Sequence, residues 1–352
     1  GMGKLEVFNP SLGMYQPLPG TPQLIVLREQ PVISHNLGAT LRDLGEGVAC
    51  IELHAKMNAI DDDILSMIEL GLDRTVEDFD GLVITTEAEH FGAGANLFMV
   101  VMLAQNEAWE QLEAAGRRFQ GLNQRIRYFP KPVIVAPAGL ALGGGCELMM
   151  HASRVVAGSE LYAGQVEIGP GVIPAGAGTK ELLRRIVNPP MRTPNAVVLP
   201  FLQRIFELVG MAKVSTSAEE ARQFGLLGPC DRVVLNRAHL TAHARQEVLA
   251  LVSAGYQPPL PEKIYAAGRD ALAALRVGIF MYQEGGYITG HEALIAGKLA
   301  NVMTGGELSR PAWVDEQYIL DLELEAFLSL CGEQKTQQRM WHVLQTGKVL
   351  RN

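Results

Sequence analysis

The sequence predicts an α/β fold with an additional all-α C-terminal region, on three observations. Short apolar runs of strand type alternate with amphipathic helical stretches from Val48 to about residue 236. Two glycine-rich segments each follow such an apolar run directly. Beyond about residue 255 the strand pattern stops and only helical periodicity continues. Alternation of strand and helix is what α/β architecture requires.

Residues 1–46 read as an irregular lead-in holding a strand or two, because Pro10, Pro17, Pro19, Gly20, Pro22 and Pro31 break any long element. Val48-Ala49-Cys50-Ile51-Glu52-Leu53 is the first clear strand. Asp61 or Asp62 is placed to cap a helix whose apolar face is Ile64, Ile68 and Leu72. Residues 82–86 and 133–136 are apolar enough to be buried strands. Between them runs a helix with Trp109, Leu112, Phe119, Leu122 and Ile126 on one side. A further helix opens in Gly143-Gly144-Gly145, and residues 154–157 give another strand. Residues 189–210, with Pro189, Pro190, Pro194 and Pro200, read as an insertion. Ser217 then caps a helix with Glu220 as its capping-box partner.

The tail predicts four helices. The first carries Ile264, Leu272, Leu275 and Ile279. The second is capped by Thr289 and Glu292 and carries Leu294, Ile295, Leu299 and Val302. The third carries Tyr318, Leu322, Phe327 and Leu330 up to Gly332, and the fourth carries Met340, Val343 and Leu344 up to Gly347. The expected division is a lead-in over 1–46, an α/β unit over 47–255 and a helical region over 256–352.

Composition narrows the function. With 30 Lys+Arg against 38 Asp+Glu the net charge is −8, which argues against a nucleic-acid partner. Cys50, Cys146, Cys230 and Cys331 are far apart and form no C-x-x-C pair, so neither a disulfide framework nor a cysteine zinc site is expected. Reduced thiols point to a cytoplasmic protein. No apolar run approaches the ~20 residues of a membrane span. Gly1 before Met2 reads as the scar of a cleaved tag.

The chemistry concentrates in the glycine-rich segments, Phe91-Gly92-Ala93-Gly94-Ala95-Asn96-Leu97 and Gly143-Gly144-Gly145-Cys146-Glu147-Leu148. Glycines let the backbone approach a ligand, and a helix N-terminus offers unpaired N–H groups. One N–H from each segment could meet on a single oxygen as an oxyanion hole. The glycine spacings do not make a nucleotide loop. Gly92-x-Gly94 has Leu97 in the last position of a dinucleotide fingerprint, and Gly169-x-Gly171 has Pro174. Gly171 and Gly176 have P-loop spacing, but Ala177 and Gly178 follow. Alone, Glu147 reads as a complement to its helix dipole and Glu167 as a solvated loop carboxylate. Beside an oxyanion site, the two together suggest general acid–base work on a polarised carbonyl. The histidines are isolated apart from His239 and His243, which a helix surface explains, and no metal is expected. There is no G-x-S-x-G elbow.

Those two segments, with His54-Ala55-Lys56-Met57-Asn58-Ala59-Ile60 and residues 165–174 around Glu167, resemble the crotonase (enoyl-CoA hydratase/isomerase) superfamily in order and spacing. The run from Ser217 to Leu227 is also similar to that family. The resemblance implies a crotonase-like superhelix of stacked ββα turns that binds coenzyme A thioesters. It implies that the N–H groups of Ala95 and Gly144 grip the thioester oxygen. Lys56, Met57 and Ala59 would cradle adenine and pantetheine. Ala93, Gly94, Asn96, Leu97, Leu142 and Gly143 would complete the acyl-CoA site. Members with both glutamates hydrate trans-2-enoyl-CoA, so Glu147 and Glu167 imply a hydratase that needs no cofactor beyond its thioester substrate. More narrowly, the chain resembles the C-terminal hydratase part of bacterial fatty-acid-oxidation proteins that begin with a 3-hydroxyacyl-CoA dehydrogenase. A homo-oligomer and a covalently linked upstream dehydrogenase are the protein partners this leaves open. The rival readings are a 3-enoyl-CoA to 2-enoyl-CoA isomerase, a thioester hydrolase of the same fold, and a non-catalytic acyl-CoA-binding module. Asn96 departs from the Asp of many members, and Phe98-Met99-Val100-Val101 is apolar enough to line an acyl tunnel or a subunit interface.

Overall fold

Two kinds of sheet carry the chain. The computed structural model describes residues 6–17 and 24–352; Gly1, Pro19, Gly20 and Pro22 lie outside the described residues. A hairpin of β1 (Glu6–Asn9) and β2 (Met14–Pro17) comes first. Then follow β3 (Val32–His35), β4 (Ala39–Asp43), β5 (Val48–Leu53), α1 (Asp62–Asp78), β6 (Gly81–Thr85), β7 (Gly92–Ala93), α2 (Leu97–Gln105) and α3 (Trp109–Arg127). After these come β8 (Val133–Ala136), β9 (Gly139–Leu142), α4 (Gly144–Met150), β10 (Arg154–Gly158) and β11 (Leu161–Gly164). α5 (Gly178–Leu182) continues through a π-helical turn (Leu183–Val187) into α6 (Asn188–Met191). The rest is α7 (Leu199–Gly210), α8 (Ala218–Phe224), β12 (Arg232–Val234), α9 (Leu240–Ser253), β13 (Ile264–Ala266), α10 (Arg269–Glu284), α11 (Gly290–Thr304), β14 (Ala312–Val314), α12 (Glu316–Cys331) and α13 (Gln334–Thr346).

The large sheet has the order β12-β10-β8-β6-β5-β4-β3. Its strands from β12 to β5 are parallel, and β4 and β3 add antiparallel at one edge. Both faces are covered. Ile51, Leu82, Ile84 and Val135 share a core with Ile68 and Leu72 of α1, whereas Cys50, Val83, Ile134 and Val156 pack with Ala244 and Val248 of α9. Successive strand residues point to opposite faces, so burial on both sides explains the uninterrupted apolar runs.

The small sheet is three parallel strands in the order β11-β9-β7. Each turn of chain therefore places one strand in the large sheet, one in the small sheet, and then a helix: β6-β7-α2 and β8-β9-α4. Ile60, paired with Ala95, gives the preceding turn its contact with the small sheet. This is the stacked ββα superhelix.

Local chemistry sets the boundaries. Asp61, not Asp62, caps α1, its side chain accepting from Ile64 N at 3.0 Å. Thr289 and Glu292 form the complete reciprocal box at α11. The box at α8 is only half made. Ser217 accepts from Glu220 N at 3.2 Å, but Glu220 Oε2 turns to Thr216 N at 2.6 Å. Residues 189–210 are mostly the end of α6 and the whole of α7, which buries Leu202, Ile205 and Val209.

Three expectations need correction. The segment before Val48 is more regular than its prolines suggest, since β3 and β4 join the large sheet. The tail is not all helical: Ile264 lies in β13, which pairs antiparallel with β14. Three-residue strands are too short for a period-2 pattern to show. The buried face of α12 is Glu316, Ile319, Leu320, Glu323, Leu324, Ala326, Leu330 and Cys331, rotated from the expected stripe, and Tyr318 is exposed. The apolar residues of α2 meet the tail, where Phe98 and Trp341 of α13 stack edge-on at 6.0 Å between centroids.

Gly121 lies within α3, and a Cβ there would meet nothing within 4 Å. Gly121→Ala is expected to stabilise the chain by about 0.5–1 kcal/mol, read as a higher denaturation midpoint.

Candidate active site

The three strands of the small sheet end side by side, and a site segment leaves each end. Ala95 lies two residues past β7, Gly144 two past β9 and Glu167 three past β11. Loops beyond the carboxyl ends of parallel strands are where α/β folds place their ligand sites.

Ile60 N donates to Gly94 O and Asn96 N donates to Ile60 O, both at 2.9 Å, so the N–H of Ala95, paired between them, points away from Ile60. Gly144 begins α4, and a Cβ built on it would lie 3.5 Å from Ala95 N. Among the described residues neither the Ala95 nor the Gly144 N–H has an acceptor within the chain. Gly143 precedes them with φ 50°, and a Cβ there would lie 3.0 Å from Glu167 Oε1. Glycine is required at this crossing, by backbone geometry and by proximity.

Other predicted residues gather around this point. Ala93 pairs with Leu142 across β7 and β9, and Leu142 with Gly164 across β9 and β11. Asn96 caps α2, accepting from Met99 N at 3.2 Å, a backbone-directed role that accommodates Asn in place of Asp, and Leu97 opens that helix. Lys56 and Met57 are exposed on a short turn, Met57 with φ 57°, and Ala59 is half-buried. Buried Asn58 pins this turn by donating to His90 O at 2.9 Å and Thr86 Oγ1 at 3.1 Å. The hydrogen bonds of Ile60 then carry Lys56, Met57 and Ala59 to the rim of residues 93–97.

Glu147 is buried on the first turn of α4. Its Oε1 accepts from the N–H groups of Gly176 and Gly178, each at 2.8 Å. Burial pushes its carboxyl up to about 7, against the pull of those two donors. Glu167 lies on the loop after β11. Burial, and then the charge of Glu147, push its carboxyl well above the ordinary range. Buried Gln165, with its amide nitrogen facing Glu167, donates to Oε1 at 2.8 Å and Oε2 at 3.1 Å. Both shifts favour the protonated forms, and the charge of Glu147 opposes ionisation of Glu167 beside it.

A buried ionic network stands behind Glu147. His151 donates from Nδ1 to Glu147 O at 2.7 Å, and Lys180 Nζ donates to His151 Nε2 at 3.1 Å. Burial, then the nearby Lys180 charge, keep His151 neutral. Lys180 also reaches Gln124 at 2.9 Å, Glu181 at 3.2 Å and Glu316 of α12 at 3.3 Å. Burial opposes the charge of Glu181, yet Lys180, Arg184, Arg185 and Arg127 together hold it well below the usual carboxylate range.

Sequence reasoning missed the 176–180 segment. Gly176 and Gly178 appeared only as a P-loop that fails, and no pattern marks Ala177, which sits at φ 81°. Their roles lie in backbone N–H direction, which composition does not encode. Glu316 and Glu323 did carry a signal: acidic residues at stripe positions of an otherwise apolar helix face.

Comparison with known proteins agrees with this geometry. The family model for enoyl-CoA hydratase/isomerase matches residues 43–256. A "Probable 3-hydroxyacyl-CoA dehydrogenase" of Bacillus subtilis is 44% identical over 325 residues, 91% of this chain and 40% of that protein. A "Short-chain-enoyl-CoA hydratase" of Clostridium acetobutylicum is 34% identical over 146 residues, 40% of this chain and 53% of that protein. In structure, an enoyl-CoA hydratase from Bacillus halodurans superposes with a TM-score of 0.58 at 16% identity, covering 86% of this chain and 98% of that one. The chain belongs to the enoyl-CoA hydratase/isomerase family and has the crotonase fold. It spans less than half the length of its Bacillus subtilis relative. Among the described residues no helix is long and apolar enough to cross a membrane, and no cluster of three or more His, Cys, Asp or Glu could hold a metal.

A Cβ on Gly176 would strike the Phe119 ring and lie 2.6 Å from Glu147 Oε2. Gly176→Ala is therefore expected to destabilise the fold by about 1–3 kcal/mol, read by thermal denaturation.

Proposed function

We propose that this protein hydrates trans-2-enoyl-CoA thioesters to 3-hydroxyacyl-CoA. One observation carries the reading: two free backbone donors and two carboxyls of raised proton affinity converge where β7, β9 and β11 end. The Ala95 and Gly144 N–H groups bind the thioester oxygen and polarise the conjugated double bond. Glu147, as carboxylate, takes a proton from a water whose oxygen bonds to C3. Glu167, protonated, gives its proton to C2. The electron pair displaced from the double bond rests on the thioester oxygen until that proton arrives. Proton exchange between the carboxyls and solvent restores the starting state. Preorganised donors aimed at such developing charge are each worth about 3–4 kcal/mol. Lys56, Met57 and Ala59 hold the nucleotide end of the thioester, with Ala93, Gly94, Asn96, Leu97, Leu142 and Gly143 along its length.

A burial as deep as that of Glu147, tied by two backbone donors, is more than passive thioester binding requires. It favours hydration over the binding module and over an isomerase that shuttles protons on Glu167 alone. The likeness to a relative named as a 3-hydroxyacyl-CoA dehydrogenase supports a place in fatty-acid β-oxidation, because the hydration product is that enzyme's substrate class.

Loss of the enoyl absorbance of crotonyl-CoA and longer homologues measures the activity. Glu147→Gln and Glu167→Gln are each expected to lower kcat by about 10²–10⁴-fold. Turnover of 3-enoyl-CoA without hydration would instead support the isomerase, and a folded protein that binds acyl-CoA without turning it over would support the binding module. The pH profile of kcat is expected to be bell-shaped. Activity rises with pH as Glu147 ionises near 7 and falls as Glu167 loses its proton at higher pH. Glu147→Gln is expected to remove the acid limb from the residual activity.

A further inference from the structure

Glu323 of α12 is fully buried, and the hydration chemistry does not call on it. Its Oε2 accepts from Ala177 N at 3.1 Å and its Oε1 from Lys180 N at 2.7 Å. Glu147 takes the interleaved N–H groups of Gly176 and Gly178. One stretch of five residues thus gives four N–H groups to two carboxyls, with Ala177 at φ 81° making the turn that separates them. Asn123 fixes the same stretch from α3, donating to Gly176 O at 2.7 Å. Gln120 of α3 donates to Leu320 O at 3.0 Å and so docks α12 beside it. The tail helix is therefore built into the support of Glu147.

We propose that Glu323 is a positioning residue for the reaction: it clamps the 176–180 backbone from the tail side, so that Gly176 and Gly178 present their N–H groups to Glu147 in the geometry water activation needs. The inference rests on the hydratase reading. The titratable groups facing Glu323 are Glu147 from α4, Glu167 from the loop after β11 and Lys180 from α5. Burial, and then Glu147, push Glu323 up to about 8, while the Lys180 and Ala177 N–H donors and the Lys180 charge act against them. The negative charge of Glu323 in turn raises the proton affinity of Glu167. Removing that charge lets Glu167 release its proton at lower pH.

The test is crotonyl-CoA hydration by the full chain, comparing wild type with Glu323→Gln and with Glu323→Met, which keeps the volume and buries no charge. The expected result is a kcat lowered by roughly tenfold or more, with KM within about twofold of wild type. The alkaline limb of the kcat profile moves to lower pH, a change that a merely structural role would not produce. A folded variant with wild-type kcat and pH profile overturns the inference. Failure of both variants to fold also overturns it, by making Glu323 structural. Absence of turnover in the wild-type protein contradicts the hydratase reading itself, whereas wild-type turnover with insensitive Glu323 variants contradicts this inference alone.

Discussion

The constraint on which the site depends is the cost of keeping carboxyl groups out of water. A buried carboxylate without partners loses its solvation and takes up a proton instead. Here that tendency is used rather than cancelled. Glu147 is given two backbone donors, enough to hold it near neutrality, and Glu167 lies beside it and inherits its repulsion. In the proposed hydration, the difference between the two environments would make Glu147 the base and Glu167 the acid. Tuning of this kind is how neighbouring acidic groups divide opposite roles.

The superhelix supplies the rigidity this requires. The small sheet aligns three segment ends, so that the short segments carrying Ala95, Gly144 and Glu167 start from strand ends fixed by pairing. The large sheet, buried on both faces, holds the small one in register through the repeated turns. Behind Glu147, His151 and Lys180 link the helix that carries it to Glu316 of the tail. Charges this deeply buried are costly unless each has a partner, and Lys180 has four. The C-terminal helices are thus part of the site's foundation.

Much of this was legible in the residues. Strands β5, β6, β8 and β10 show as apolar runs because the sheet is covered on both sides. The glycines at 92, 94, 143 and 144 show because segments of backbone approach one another closely there. The family resemblance singled out Ala95, Gly144, Glu147 and Glu167; the chain brings Gly144 beside Ala95 N and Gly143 beside Glu167 Oε1, with Glu147 one turn along the helix that Gly144 opens. What did not show has a common physical cause. The donors of Gly176 and Gly178 are backbone atoms, and the left-handed Ala177 has no compositional mark. β13 and β14 are held by pairing between segments far apart in the chain, which no local period records. The buried face of α12 differs from the predicted stripe because Glu316 and Glu323 are held in the interior by partners on other elements, the Lys180 ammonium and the N–H groups of Ala177 and Lys180.

The most direct measurement is an infrared titration of the protonated carboxyl bands in the free protein, wild type against Glu147→Gln and Glu167→Gln. A band that persists through neutral pH and disappears with Glu167→Gln would show the pair retaining one proton, as the hydration mechanism requires. Ionisation of both carboxyls in the ordinary range near 4.5 would contradict it, because Glu167 would then have no proton to give.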